Sequence, residues 1–208
     1  TIIMITSDHG DMLGDFGLFA KRLMYENSAR VPMILLGTKE DKIVGKGEVS
    51  NRLVGLADIM PTLLDLAKIK IPSSCDGQSM FNKKPRTFLY AEANESINAT
   101  RMVTSKNYKL VWYPYGNSFQ FFDLANDPKE LEDVYQKSEF QDHIETLKNI
   151  LVKNLYGKDL SFLKEGKLVG ISSDEIKSDN LKTGLGLLGE RELLGQRGLH
   201  YPPPPIDK

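Results

Sequence analysis

Cysteine is nearly missing from these 208 residues: Cys75 stands alone, which excludes an internal disulfide. That scarcity does not fix the compartment, because many exported bacterial proteins carry no cysteine. Long hydrophobic runs are missing too. No apolar stretch approaches the ~20 residues that cross a bilayer, and nothing at the start has the pattern of a secretory leader. Charge of one sign is also lacking. Twenty-seven Lys and Arg face 28 Asp and Glu, for a formal net charge of -1, so no overall field draws the chain to nucleic acid or to an anionic membrane. Any anion binding has to be local. There is no internal repeat and no opening methionine; the chain goes from Thr1 directly into an apolar run. A parallel strand without neighbours would leave its backbone groups unpaired. We therefore expect the C-terminal part of a longer protein, whose other portion supplies the rest of a sheet.

What is present begins with that run, residues 2–5, which breaks into Thr6-Ser7-Asp8-His9-Gly10. This is the pattern of a buried strand delivering polar groups at its C-terminal end, where α/β proteins keep their chemistry. A carboxylate and an imidazole side by side on a turn suit metal ligation. The loop that follows carries Gly10, Gly14 and Gly17 and leads to Lys21. A metal needs deprotonated oxygen or imidazole ligands, and an anion bound there needs a durable cation. Asp8, His9 and Lys21 supply those parts.

Residues 33–37 read as a second buried strand. Asp58 reads as the N-cap of a helix holding Ile59, Leu63, Leu64 and Ala67, with Pro61 tolerated in its first turn. From Arg86 the texture changes. Runs at 87–91, 101–105, 108–113 and 119–123 are rich in aromatic and β-branched residues and predict a small antiparallel sheet. Residues 129–134 predict a short helix. A longer helix follows, whose Phe140, Ile144, Leu147, Leu151 and Leu155 make one stripe against that sheet. Trp112, Tyr113, Tyr115 and Phe119 read as packing rather than as a carbohydrate platform. Beyond Lys164 periodicity is lost, and the tetraproline at 202–205 and His200 fall in what reads as an extended tail.

Taken together, Ser7-Asp8-His9-Gly10-Asp11, Leu13-Gly14-Asp15, Gly17-Leu18-Phe19, Lys21-Arg22, Met24-Tyr25-Glu26, Ser28 and Arg30-Val31-Pro32 resemble the second signature region of the type I sulfatases of the alkaline phosphatase superfamily. The resemblance continues through residues 56–67, Asp76-Gly77-Gln78-Ser79-Met80, residues 104–113, Phe121-Phe122-Asp123-Leu124, Asn126-Asp127-Pro128 and Glu130. It covers residues 2–160. It implies an α/β fold with a partial alkaline-phosphatase-like core at 1–82, an antiparallel-sheet and helix subdomain at 83–164, and a tail at 165–208.

The function implied is a sulfuric ester hydrolase acting on a sulfated small molecule or glycan. Alternatives on the same scaffold are a phosphonate monoester or phosphodiester hydrolase, and a non-catalytic sulfatase-like protein. The resemblance implies that Asp8 ligates a divalent cation, calcium or alternatively manganese, that His9 sits at the same metal and sulfate site, and that Lys21 binds a sulfate oxygen. Glu26 and Arg30 are expected as a structural pair. The family's formylglycine nucleophile is implied outside this chain, with the remaining metal ligands, so the chain alone is expected to be inactive and to need the N-terminal part of the same protein. Cys75 precedes Asp76-Gly77 and lacks the x-Pro-x-Arg that follows the family's nucleophile. Phe16 stands where relatives commonly have histidine and is expected as an aromatic wall near the substrate entrance. Export to a periplasmic, secreted or lysosomal compartment is the family's implication; no nucleic-acid partner and no membrane span are expected from the balanced charge and the lack of a long apolar run.

Overall fold

The structure, a computed structural model, describes residues 1–21, 23–37, 44, 47–95 and 98–171. Its first sheet has two strands, β1 (Ile3–Thr6) and β2 (Met33–Leu36). They run antiparallel, Ile3 opposite Leu36 and Ile5 opposite Ile34, where a buried parallel strand is expected for β1. Side chains alternate across a strand, so Ile3, Ile5, Ile34 and Leu36 share one face. That face is 46–51% exposed, which is why neither strand is buried in this chain.

A single helical turn, α1 (Glu26–Ala29), precedes β2. The helix α2 spans Ile59–Leu66. Asp58 stands at its start, but its side chain does not cap it. A 3-10 turn at Leu56–Asp58 runs straight into the helix, and the Ile59 N–H already finds the Leu56 carbonyl. The buried Asp58 carboxylate instead accepts from the Gly55 and Gln78 N–H groups, both at 2.9 Å, and pairs with Arg86 Nη2 at 2.5 Å. Leu56, Met60 and Leu63, at steps of four and three, form a stripe that is 40–47% exposed.

The second sheet is β3 (Phe88–Ala93), β4 (Thr100–Ser105), β5 (Tyr108–Tyr113) and β6 (Ser118–Asp123), antiparallel in that order. The helix α3 (Gln141–Asn154) follows. Register places Val103, Leu110, Trp112 and Phe121 on one face, packed against Ile144, Leu147, Leu151 and Leu155. Trp112 is fully buried between Phe119 and Phe162, and its indole N–H donates to Asn117 Oδ1 at 3.0 Å, so the aromatic cluster is core. The opposite face carries Met102, Val111, Tyr113 and Phe122, covered by Met12, Leu18, Met24 and Tyr25. Burial on both faces explains why residues 110–113 of β5 read as a continuous apolar run rather than as an alternation.

Residues 129–134 form turns and not the expected helix. Glu130 takes a left-handed φ of 58°, which ends any α-helix there. The tail expected from 165 is docked at first: β7 (Leu163–Lys164) pairs with β8 (Lys167–Leu168), and Ile171 bridges to Tyr115. Residues 172–208, with His200 and the tetraproline, lie outside the described residues. No helix among the described residues is long and apolar enough to cross a membrane.

Candidate active site

The three residues singled out from the sequence meet just beyond the end of β1. His9 Nδ1 lies 2.7 Å from the Gly10 carbonyl oxygen. A carbonyl can only accept, so Nδ1 carries the hydrogen and the ring is fixed in orientation. Nε2 is left as the outward donor atom. Lys21 Nζ contacts it directly, and Asp8 Oδ2 lies 3.3 Å away. Desolvation acts upward on the Asp8 carboxyl, but the His9 imidazole, the Asp8 and His9 backbone N–H groups and the Lys21 ammonium together hold it below its ordinary value. Ser7 Oγ donates to the His9 carbonyl at 2.7 Å and tightens the turn.

Gly10 is required by close approach. Its N–H donates to the Ser28 carbonyl at 2.8 Å, and a Cβ there would lie 1.9 Å from the Asn27 carbonyl oxygen. Ser28 Oγ in turn donates to the Lys21 carbonyl. The turn α1 therefore clamps the loop at both of its functional ends. Met12 N–H donates to the Ala20 carbonyl at 2.9 Å, closing the glycine-rich excursion on itself. Phe16, expected as a wall of the entrance, stacks on Tyr25 with centroids 4.7 Å apart and belongs to the packing beneath the loop.

Sequence reasoning missed the anchor of this arrangement. Lys109, on the β5 face that looks at the loop, is fully buried. Its ammonium donates to the Met24 carbonyl at 2.9 Å and to Glu26 Oε1 at 2.6 Å. Glu130 Oε1 lies 2.6 Å from the same nitrogen as an ion pair without hydrogen-bond alignment. Glu130 Oε2 takes the Glu26 N–H at 2.6 Å. Burial raises the Glu130 carboxyl, and the Lys109 ammonium opposes that rise. The expected Glu26–Arg30 pair exists at 3.6 Å, on the exposed side, but the buried partner of Glu26 is Lys109. The signal was present: a lysine at 109 alternates with Val111 and Tyr113 on one strand face, and a buried ammonium requires carboxylates.

A divalent cation fits the donor chemistry of this turn only as part of a set. Asp8 offers a carboxylate that is 80% exposed, and His9 offers Nε2 beside it. Among the described residues no group of three or more His, Cys, Asp or Glu side chains is placed to hold a metal, and a calcium ion takes six to eight oxygen ligands. Asp8 and His9 are thus suited to be two ligands of a larger set. A shallow cleft of about 470 Å³ lies beside the loop, lined by Asp11, Asp15, Glu26 and Arg30 among others. Its lining does not include Asp8, His9 or Lys21. Cys75 is a free, half-buried thiol in the segment after α2.

Residues 14–156 match the family described as N-sulphoglucosamine sulphohydrolase, C-terminal. The chain belongs to that family, the C-terminal portion of sulfatase-type hydrolases. It is 36% identical over 175 residues to an arylsulfatase of Clostridium perfringens, a match covering 81% of this chain and 36% of that enzyme. It is 30% identical over 155 residues to an N-acetylglucosamine-6-O-sulfatase of Bacteroides thetaiotaomicron, covering 67% of this chain and 27% of the relative. A solved structure in complex with its substrate D-glucosamine-2-N,6-O-disulfate superposes with a TM-score of 0.61 at 26% identity, over 74% of this chain and 33% of that one. The chain spans about a third of the length of the proteins it matches.

Proposed function

We propose that the full-length protein is a sulfuric ester hydrolase that cleaves a sulfate monoester of a sugar or other small molecule, and that this chain supplies one wall of its active site. The observation that carries this reading is the meeting of Lys21 Nζ and the Asp8 carboxylate at His9 Nε2, on the loop where a sulfatase family match begins. Asp8 and His9 would hold a divalent cation, calcium or alternatively manganese, whose chemistry is Lewis-acid polarisation of the sulfate oxygens. A formylglycine nucleophile is expected from the N-terminal part, together with the remaining ligands.

The residues of this chain then bind and orient. Lys21 holds a sulfate oxygen by charge, with an ammonium that is not spent on a buried partner. As the S–O bond breaks, its electron pair passes to the alcohol oxygen, and a positioned ammonium of this kind would offset negative charge that develops in the transition state. His9 cannot turn away, because the Gly10 carbonyl keeps its Nδ1 hydrogen. Asp8 stays ionised beside the two cationic or polar neighbours that hold its carboxyl low.

In the full-length protein, Lys21→Ala and Asp8→Asn are each expected to lower kcat/KM on an aryl sulfate by about 10²–10³-fold. Unchanged kinetics in both variants would sink the assignment. An aryl phosphonate assayed in parallel distinguishes the ester class: a greater efficiency on phosphonate than on sulfate replaces the sulfatase reading with a phosphonate hydrolase on the same scaffold.

A further inference from the structure

The buried ammonium of Lys109 has no part in the chemistry above, yet it lies at the root of the loop that carries it. Its three partners, the Met24 carbonyl, Glu26 and Glu130, fix the chain where it enters α1. Tyr25, between them, is held by the sheet as well. Gln120 Nε2 donates to its hydroxyl at 3.0 Å, and the ring packs on Phe122 at 5.8 Å. From this anchored segment one turn of helix leads to Ser28, whose N–H donates to the Tyr25 carbonyl at 2.9 Å. Ser28 then makes the two contacts that set the site: its carbonyl takes the Gly10 N–H and its hydroxyl takes the Lys21 carbonyl.

We propose that Lys109 is a positioning residue for the sulfate-binding lysine, acting from the C-terminal sheet through α1 and Ser28 on Lys21 and His9. This rests on the assignment of Lys21 to the substrate. The C-terminal sheet is then a component of the active site and not an appended module. A site group displaced by about 1 Å can lower turnover ~100-fold, and a buried ammonium held by two hydrogen bonds and an ion pair is suited to prevent such a shift.

The test is a double-mutant cycle in the full-length protein with an aryl sulfate as the probe. Lys109→Met is expected to lower kcat/KM by ~10–100-fold in the parent and by less than about 3-fold in a Lys21→Ala background, because residues acting through one another are not additive. A merely structural role would lower both backgrounds equally through the amount of folded enzyme, and equal losses overturn the proposal. Ser28→Ala carries the same cycle without disturbing the buried charges, so it remains decisive where Lys109→Met yields little folded protein; additive losses with Lys21→Ala overturn the proposal there too. Should Lys21→Ala itself leave kcat/KM unchanged, the functional reading of Lys21 fails, a result distinct from additivity in the cycle.

Discussion

The β1–β2 sheet and the β3–β6 sheet are built from similar apolar strands and end in opposite situations. In β1 and β2 the face bearing Ile3, Ile5, Ile34 and Leu36 stands about half exposed, and so does the stripe of Leu56, Met60 and Leu63 at the start of and along α2. In β3 to β6 both faces are closed, one by α3 and the other by the site loop, and Val103, Leu110, Trp112 and Phe121 are fully buried. The difference lies in what each sheet packs against within the chain. Apolar alternation specifies which residues share a face; only a covering layer turns that face into a core.

The largest expected effect comes from opening the closed sheet. Trp112→Ala removes the fully buried ring between Phe119 and Phe162 and should cost about 3–5 kcal/mol in urea unfolding. A loss under about 1 kcal/mol would break the contrast drawn between the sheets. Gly10→Ala probes the seam where the loop meets α1. Its Cβ would meet the Asn27 carbonyl oxygen at 1.9 Å, and overpacking of this kind costs about 1–3 kcal/mol, read as a lower urea midpoint. Ile5→Ser probes the open sheet, and in this chain alone the half-exposed side chain predicts a change within about 0.5 kcal/mol. The same substitution in the full-length protein sharpens the comparison: a clearly larger loss there would show the face to be covered by the rest of the enzyme, and an equally small one would show it to remain open.

Much of the sheet and helix arrangement was readable from residue order. Strands expected at 101–105 and 108–113 match β4 and β5 nearly residue for residue, and the stripe from Phe140 to Leu155 faces the sheet as its spacing requires. Local pattern is enough there because strand and helix periods act over a few residues. The misses have a common cause. The helix expected at 129–134 is replaced by turns around Glu130, whose carboxylate is drawn inward to Lys109 and the Glu26 N–H. Asp58 is turned from capping to Arg86 and the Gln78 N–H by a segment twenty residues on. Each of these was decided by a partner far away in sequence.

The candidate site divides the same way. Asp8, His9 and Lys21 could be named from residue type, from the glycine-rich loop between them and from the resemblance to sulfatases, because the chemistry of a cation and an anion demands those side chains. Sequence alone also determined that the net charge is near zero and that no disulfide staples the chain. It could not show that the His9 ring is locked by the Gly10 carbonyl, that Ser28 bridges Gly10 and Lys21, or that Lys109 reaches across from β5 to grip the segment between them. Those contacts join residues up to 85 positions apart. Only the packing of the loop onto the second sheet brings Lys109 within hydrogen-bonding distance of Met24 and Glu26, and its burial then makes those contacts obligatory.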